Sequence, residues 1–131
     1  MKGHPNRGHQ LMTKELLRAL PPTGSQEGME DPQVAIKYFS PFTGWTWYAT
    51  EGSVILADGN EISGLEFVDG KFPDTMLQDV IFFGYVEGVE CEWGSFGLNE
   101  LEGVTRMNGK LPVVERDCHF KPRPLSEVKT R

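Results

Sequence analysis

The stretch Val80-Ile-Phe-Phe-Gly-Tyr-Val86 is the most apolar run of the chain, and it decides the fold. Polar and apolar residues do not alternate in it, which predicts a central β-strand buried on both faces of a sheet. Residues 92–97 follow after a short polar interval and are expected to pair with it as an antiparallel neighbour. The sheet is therefore expected to build outward from this pair.

A β-hairpin is predicted ahead of this run. Residues 33–39 and 45–50 alternate with a period of two, and Pro41 and Gly44 mark the turn between them.

Two Asp-Gly pairs predict a second hairpin further along the chain. Asp58-Gly59 and Asp69-Gly70 each follow an apolar stretch, and glycine supplies the positive φ that such turns need. We therefore expect a β-hairpin arm over residues 52–72, and a last strand at 116–121.

Two short helices complete the prediction. Thr13 is a good N-cap, an apolar stripe follows it, and Pro21-Pro22 ends a helix over residues 13–20. The spacing of Leu98, Leu101 and Val104 fits a second helix.

The expected fold class is α+β, with a central antiparallel β-sheet in a single domain over residues 13–127. A disordered leader is expected at 1–12 and a basic tail at 128–131.

Composition limits the class of protein. The chain has 131 residues, 38% of them hydrophobic, which suits one domain with a core. It contains no run of about 18 apolar residues, so no membrane span is expected. The first residues lead into no apolar segment typical of a signal peptide, so a cytoplasmic location with two reduced cysteines is expected.

The charge is unevenly distributed. Residues 1–20 carry +3, residues 21–110 carry −11 and residues 111–131 carry +2, which gives a net charge of −6. Phosphate contacts need clustered cations, so the acidic middle predicts that the protein is not a general DNA or RNA binder.

A metal site is one alternative. Cys91, Cys118 and His119, with Glu90 or Glu92, offer suitable ligand types. However, neighbours on a strand point to opposite faces, so Cys118 and His119 do not readily share one ion. No metal, no cofactor and no small-molecule ligand are predicted.

Catalysis by paired carboxylates is a second alternative. Four acids lie at the ends of predicted elements, where general acid–base pairs often sit, namely Glu51, Asp79, Glu87 and Glu100. Nothing in the sequence selects one pair among the 19 acidic residues, so no catalytic residue is assigned.

Aromatic residues crowd into two segments, around positions 45–48 and 82–96. Such residues can stack nucleic-acid bases, but glutamates surround them here, so core packing is the favoured interpretation. An exposed aromatic patch that contacts a partner stays open.

Several segments together resemble one family. In order, they are Glu15-Leu-Leu-x-x-Leu-Pro-Pro22, Ser25-Gln-Glu27, Asp31-Pro-x-Val34, Trp45-Thr-Trp-Tyr-Ala-Thr-Glu51, Phe82-Phe-Gly-Tyr-Val-x-Gly88, Gly97-Leu-x-Glu-Leu-Glu102, Glu115-Arg-Asp117 and Phe120-Lys-Pro-x-Pro-Leu-Ser-Glu127. This pattern resembles the bacterial domain-of-unknown-function family 2958 over about residues 13–127. Short members run almost directly from the Trp-Tyr-x-Thr-Glu segment to Phe-Phe-Gly, whereas residues 52–79 intervene here.

The resemblance implies a small protein often carried on plasmids and other mobile elements, and it brings no established activity. An accessory binding protein that acts through a protein partner is therefore expected. A small enzyme or nucleic-acid-processing factor that uses scattered carboxylates is the alternative. Six residues are the candidates for a binding surface: Trp47, Tyr48, Glu51, Arg116, Asp117 and Lys121.

Overall fold

The computed structural model describes residues 3–128, over which the chain forms three α-helices and ten β-strands. The helices are α1 (Lys14–Ala19), α2 (Gly64–Asp69) and α3 (Leu98–Gly103). The strands are β1 (Gln33–Val34), β2 (Ile36–Phe39), β3 (Thr46–Leu56), β4 (Glu61–Ile62), β5 (Leu77–Glu87), β6 (Cys91–Gly97), β7 (Thr105–Arg106), β8 (Leu111–Pro112), β9 (Glu115–Arg116) and β10 (Arg123–Pro124).

One antiparallel sheet organises the molecule. Its strands lie in the order β6-β5-β3-β2-β9, with β4 attached to β3, while β1 pairs with β10 and β7 with β8. The predicted α+β fold with a central antiparallel sheet is confirmed. The expected β2–β3 hairpin, the β5–β6 pair and the helices at α1 and α3 are also present.

The main core lies on one side of this sheet, here called the core face. Ala49 and Val54 of β3 and Phe82 of β5 point into it and are essentially inaccessible. The three helices contribute Leu17, Phe67, Leu98 and Leu101 to the same cluster, and Leu20 joins them from the C-cap of α1. Burial of these side chains is the main stabilising term for the domain.

Strand β5 differs from the prediction that it is buried on both faces. Val80 and Phe82 are buried on the core face, but Ile81 and Phe83 on the opposite face are each 37% exposed. The run is uniformly apolar because its second face carries an aromatic surface, and nothing in the described chain fully covers that surface.

The expected hairpin arm over 52–72 is wrong in its second half. Residues 52–56 complete β3, and a turn with Gly59 at φ +90° leads back into the two-residue strand β4. The chain then enters α2, because the Ser63 side chain accepts the Glu66 N–H at 3.1 Å and caps a helix. The segment packs against α1 and does not project.

The last strand is shorter than expected over 116–121, because only Glu115 and Arg116 pair with β2. Asp117 then turns the chain: its side chain accepts the His119 N–H at 3.0 Å and its carbonyl accepts the Phe120 N–H at 3.1 Å.

The structure also corrects the leader expected to be disordered over 1–12, of which it describes residues 3–12. Leu11 and Met12 lie in the core, and the buried Arg7 donates to the Val114 carbonyl at 2.9 Å and contacts the Glu102 carboxylate at 3.2 Å. Most of the predicted basic tail at 128–131 lies outside the described residues. Among residues 3–128, no helix has the length and apolar character that a membrane crossing needs.

A glycine at the centre of the sheet gives the first prediction. A Cβ at Gly84 would overlap the Tyr48 carbonyl oxygen, whereas one at its cross-strand partner Gly94 meets no atom within 4 Å. We expect Gly84→Ala to lower the free energy of unfolding by about 1–3 kcal/mol, as overpacking does. In urea unfolding, Gly94→Ala is the matched control and should stay within about 0.5 kcal/mol of the parent. Equal stability of the two variants would contradict the close approach of β3 and β5.

Candidate functional site

The face of the sheet opposite the core, here called the outer face, is divided into two halves. Over the first half, residues 120–128 cover Tyr48 and Tyr85, with Val34, Phe120, Leu125 and Val128 completing a small second core. Pairing of β1 with β10 and two hydrogen bonds from Ser126 to Asp31 hold this covering segment in place.

The second half is open and aromatic. Ile81, Phe83 and Trp93, here called the aromatic patch, are 37%, 37% and 44% exposed. The rings of Phe83 and Trp93 stack with centroids 5.7 Å apart and planes 15° from parallel. Contiguous exposed apolar groups of this kind often mark interaction sites.

A groove of about 510 Å³ borders the aromatic patch. Phe83 and Trp93 form one wall, and the loop of residues 23–32 forms the other through Gln26, Met29 and Pro32. Met29 is 58% exposed, so the lip of the groove is apolar as well.

The second wall depends on a β-bulge in β3. The register with β5 shifts between Ala49 and Glu51, so both Thr50 and Glu51 lie on the outer face. The Glu51 carboxylate, 6% exposed, accepts the Gly24 N–H at 2.7 Å and the Gln26 N–H at 3.1 Å.

The Gln26 side chain adds three bonds. Its amide nitrogen donates to the carbonyls of Thr50 and Gln33, and its oxygen accepts the Gln33 N–H at 2.7 Å. Glu51 and Gln26 therefore fix the loop to the sheet.

The chain around the aromatic patch is acidic, and cations from outside this stretch pair with two of its acids, Asp74 and Glu102. Residues 72–105 contain seven Asp and Glu and no Lys, Arg or His. Glu90 and Glu92, where β6 begins, are exposed. This region attracts cationic groups and repels phosphates.

The six sequence-predicted binding residues do not come together at one site. Trp47 lies half-buried on the core face, with its ring 5.9 Å from that of Trp45. Tyr48 is buried under the covering segment, and its hydroxyl donates to Glu87 and to the Val128 carbonyl. Burial, then the Glu87 carboxylate, raises the pKa of Tyr48 to about 12, so the hydroxyl remains a donor well into the alkaline range. Of the six, Glu51 alone lines the groove.

Arg116 and Asp117 lie at the opposite edge of the sheet, beside β2, and Lys121 lies in the covering segment. Asp117 faces Lys37 at 3.8 Å, and the Arg116 Nε donates to the Gln10 carbonyl at 2.9 Å. Lys121 is exposed, and its carbonyl accepts a bond from Arg123. The contacts of Arg116 and Asp117 hold the N-terminal segment and β2 in place.

The four acids considered for catalysis each hold a structural group. Glu51 holds the 23–32 loop, and Asp79 accepts the Asn99 N–H in the first turn of α3. Glu87 accepts the Tyr48 hydroxyl, and Glu100 accepts the Gly97 N–H at 3.2 Å. Across residues 3–128, no group of three His, Cys, Asp or Glu side chains is arranged to hold a metal, and Cys91 and Cys118 are free thiols.

The sequence left an exposed aromatic patch open, but Ile81, Phe83 and Trp93 were not among the candidate binding residues. A signal was present in β6, where Trp93 is flanked by Glu92, Gly94 and Ser95, which are all polar or small. A strand with so little apolar material cannot be buried on both faces, so its indole was a candidate for exposure.

Glu51 gives a prediction for the groove. Glu51→Ala leaves two loop N–H groups without their acceptor, and we expect the free energy of unfolding to fall by about 1–3 kcal/mol. Glu51→Gln keeps one acceptor oxygen and should lose less. Glu27→Ala, an exposed acid on the same loop, is the control for urea unfolding. A loss as large for Glu27→Ala would contradict the role of Glu51.

His9 gives a prediction on pH. Its Nε2 accepts the Arg116 backbone N–H at 2.9 Å, and burial, then the Arg116 charge, lowers the pKa of His9 below its ordinary 6.5. The unfolded chain thus binds the proton more readily, so this stabilisation is complete above pH 6.5 and declines as the pH falls through the folded-state pKa. We expect lower unfolding free energy at pH 5.5 than at pH 7.5, and a smaller difference in His9→Gln. An unchanged pH dependence in that variant would contradict this.

Comparison with known protein families, with curated proteins and with solved structures finds no match to this chain. The resemblance to family 2958 stays a prediction from the sequence.

Proposed function

We propose that this protein is an accessory binding protein that acts through a protein partner, and that the aromatic patch is the contact surface. The supporting observation is the stacked Phe83–Trp93 pair, which is more than a third exposed on a face whose other half is covered. Exposed aromatic side chains rimmed with charge are the usual anchors of protein interfaces.

The sequence resemblance suggests the setting of this binding protein. Members of family 2958 are often carried by mobile genetic elements, and an accessory role in a bacterial cytoplasm fits that setting. Two free thiols suit a reducing compartment.

The alternative functions have less support. Catalysis by scattered carboxylates needs acids free to exchange protons, and the four candidates accept bonds from structural groups. Binding of nucleic acid needs cations beside the stacking rings, and the chain from 72 to 105 has none.

Trp93→Ala tests the proposal. We expect the tagged protein to capture a specific protein from its native host, and this variant to lose the capture by roughly thirty-fold, which corresponds to a hot spot of about 2 kcal/mol. Quantitative mass spectrometry of the captured material is the measurement. Phe42→Ala removes another ring, 49% exposed and stacked under Arg106, and should keep the partner.

Two results would contradict the proposal. One is that Trp93→Ala captures the partner as well as the parent does, when thermal unfolding shows that Trp93→Ala and Phe42→Ala are both folded. The other is capture that disappears when the lysate is treated with nuclease, which would indicate a nucleic-acid partner.

A further inference from the structure

Strand β6 is a long free edge of the main sheet. It has seven residues, and the opposite edge, β9, has two. Within β6 only Glu92 is charged, and the strand has neither a proline nor a register shift against β5. Natural edge strands usually carry several charges, a proline or a β-bulge, because an exposed edge pairs readily with another chain.

Two hydrogen bonds show which β6 backbone groups point outward. The Thr50 hydroxyl donates to the Phe83 carbonyl, so the backbone polar groups of Phe83 point toward β3. Ser95, the partner of Phe83 on β6, is therefore at a non-hydrogen-bonded position and directs its N–H and C=O away from β5. Gly97, two residues further along, shows the same orientation, because its N–H donates to the Glu100 carboxylate and not to β5.

Because hydrogen-bonded and non-hydrogen-bonded positions alternate along the strand, Trp93, like Ser95, is at a non-hydrogen-bonded position and directs its N–H and C=O away from β5. Among the described residues, neither makes a backbone bond beyond the sheet. Trp93 and Ser95 thus offer donors and acceptors on the side where the aromatic patch is exposed.

The charge around the β6 edge indicates which kind of chain segment could pair with it. Glu90 and Glu92 are exposed at the start of β6, and none of the ion pairs among the described residues involves either of them. A second copy of this chain on the edge would bring two acidic stretches together, which like charges oppose. A cationic segment finds complementary charge.

We propose that β6 accepts an extended, cationic segment of the partner protein as an additional strand. Its backbone pairs with the outward groups of Trp93 and Ser95. Because side chains alternate along a strand, every second residue of the segment lies on the aromatic patch and the intervening residues lie beside Glu92. The preferred segment alternates apolar residues with Lys or Arg. This inference rests on the proposed function and specifies its mode of recognition.

The experiment selects peptides on the full-length chain from a random phage library of eight-residue peptides. We expect enrichment of proline-free sequences with alternating basic and apolar residues. Ser95→Pro removes one outward N–H without touching the bonds to β5 and should weaken the selected peptides at least tenfold. Ser95→Val keeps that N–H and is the matched control, while Glu92→Lys should also weaken binding. Thermal unfolding checks that each variant is folded.

Three results would overturn strand addition. The first is selection of peptides in which basic and apolar residues do not alternate. The second is peptide binding that Ser95→Pro leaves unchanged. The third is the absence of any enriched peptide, whether or not the chain forms concentration-dependent dimers. The proposed function is judged separately: if the host partner is lost in Trp93→Ala but kept in Ser95→Pro, the contact surface stands and only the mode of recognition is wrong.

Discussion

The additional residue that β3 carries at Thr50 determines the character of the outer face. In a regular strand, Thr50 and Glu51 would point to opposite faces, and the Glu51 carboxylate would enter the apolar core. The bulge turns it outward, where two loop N–H groups satisfy it. The position of the 23–32 loop, the wall of the groove and the access to Phe83 all follow from that arrangement.

The two faces of the sheet differ in how much of their apolar surface the rest of the chain covers. On the core face, three short helices and the N-terminal segment cover the strands. On the outer face, residues 120–128 cover Tyr48 and Tyr85 and leave Phe83 and Trp93 in contact with solvent. The exposed half therefore combines stacked aromatic rings with the nearby exposed acids Glu90 and Glu92, an arrangement that is common at protein interfaces.

The features predictable from sequence are those with local causes. Thr13 caps α1 by accepting the Leu16 N–H, and Gly44 has the positive φ that the β2–β3 turn requires, so both elements could be expected from residue type alone. Helix α2 has a local signal too, the Ser-x-x-Glu sequence that begins at the N-cap Ser63, but the alternation around Phe67 favours a strand and conceals it.

The site was less predictable, because its causes lie far apart in the sequence. Glu51 was singled out from the sequence, yet its role depends on a loop that comes 25 to 27 residues earlier. Exposure of Phe83 depends on where residues 120–128 end their coverage, which no local pattern encodes. The apolar run of β5 therefore looked fully buried. Arg116 and Asp117 likewise find their partners only when His9, Gln10 and Lys37 converge on β9.

The contacts between early and late parts of the chain have a consequence for synthesis on the ribosome. Arg7 needs Glu102 and Val114, and β1 needs β10, so residues at the beginning wait for about a hundred others to be translated. Such non-local pairing slows folding and prevents the nascent chain from completing its structure step by step. Until residues 120–128 emerge from the exit tunnel, Tyr48 and Tyr85 lie uncovered beside Phe83 and Trp93. A chaperone at the tunnel therefore meets a larger aromatic surface than the completed fold exposes.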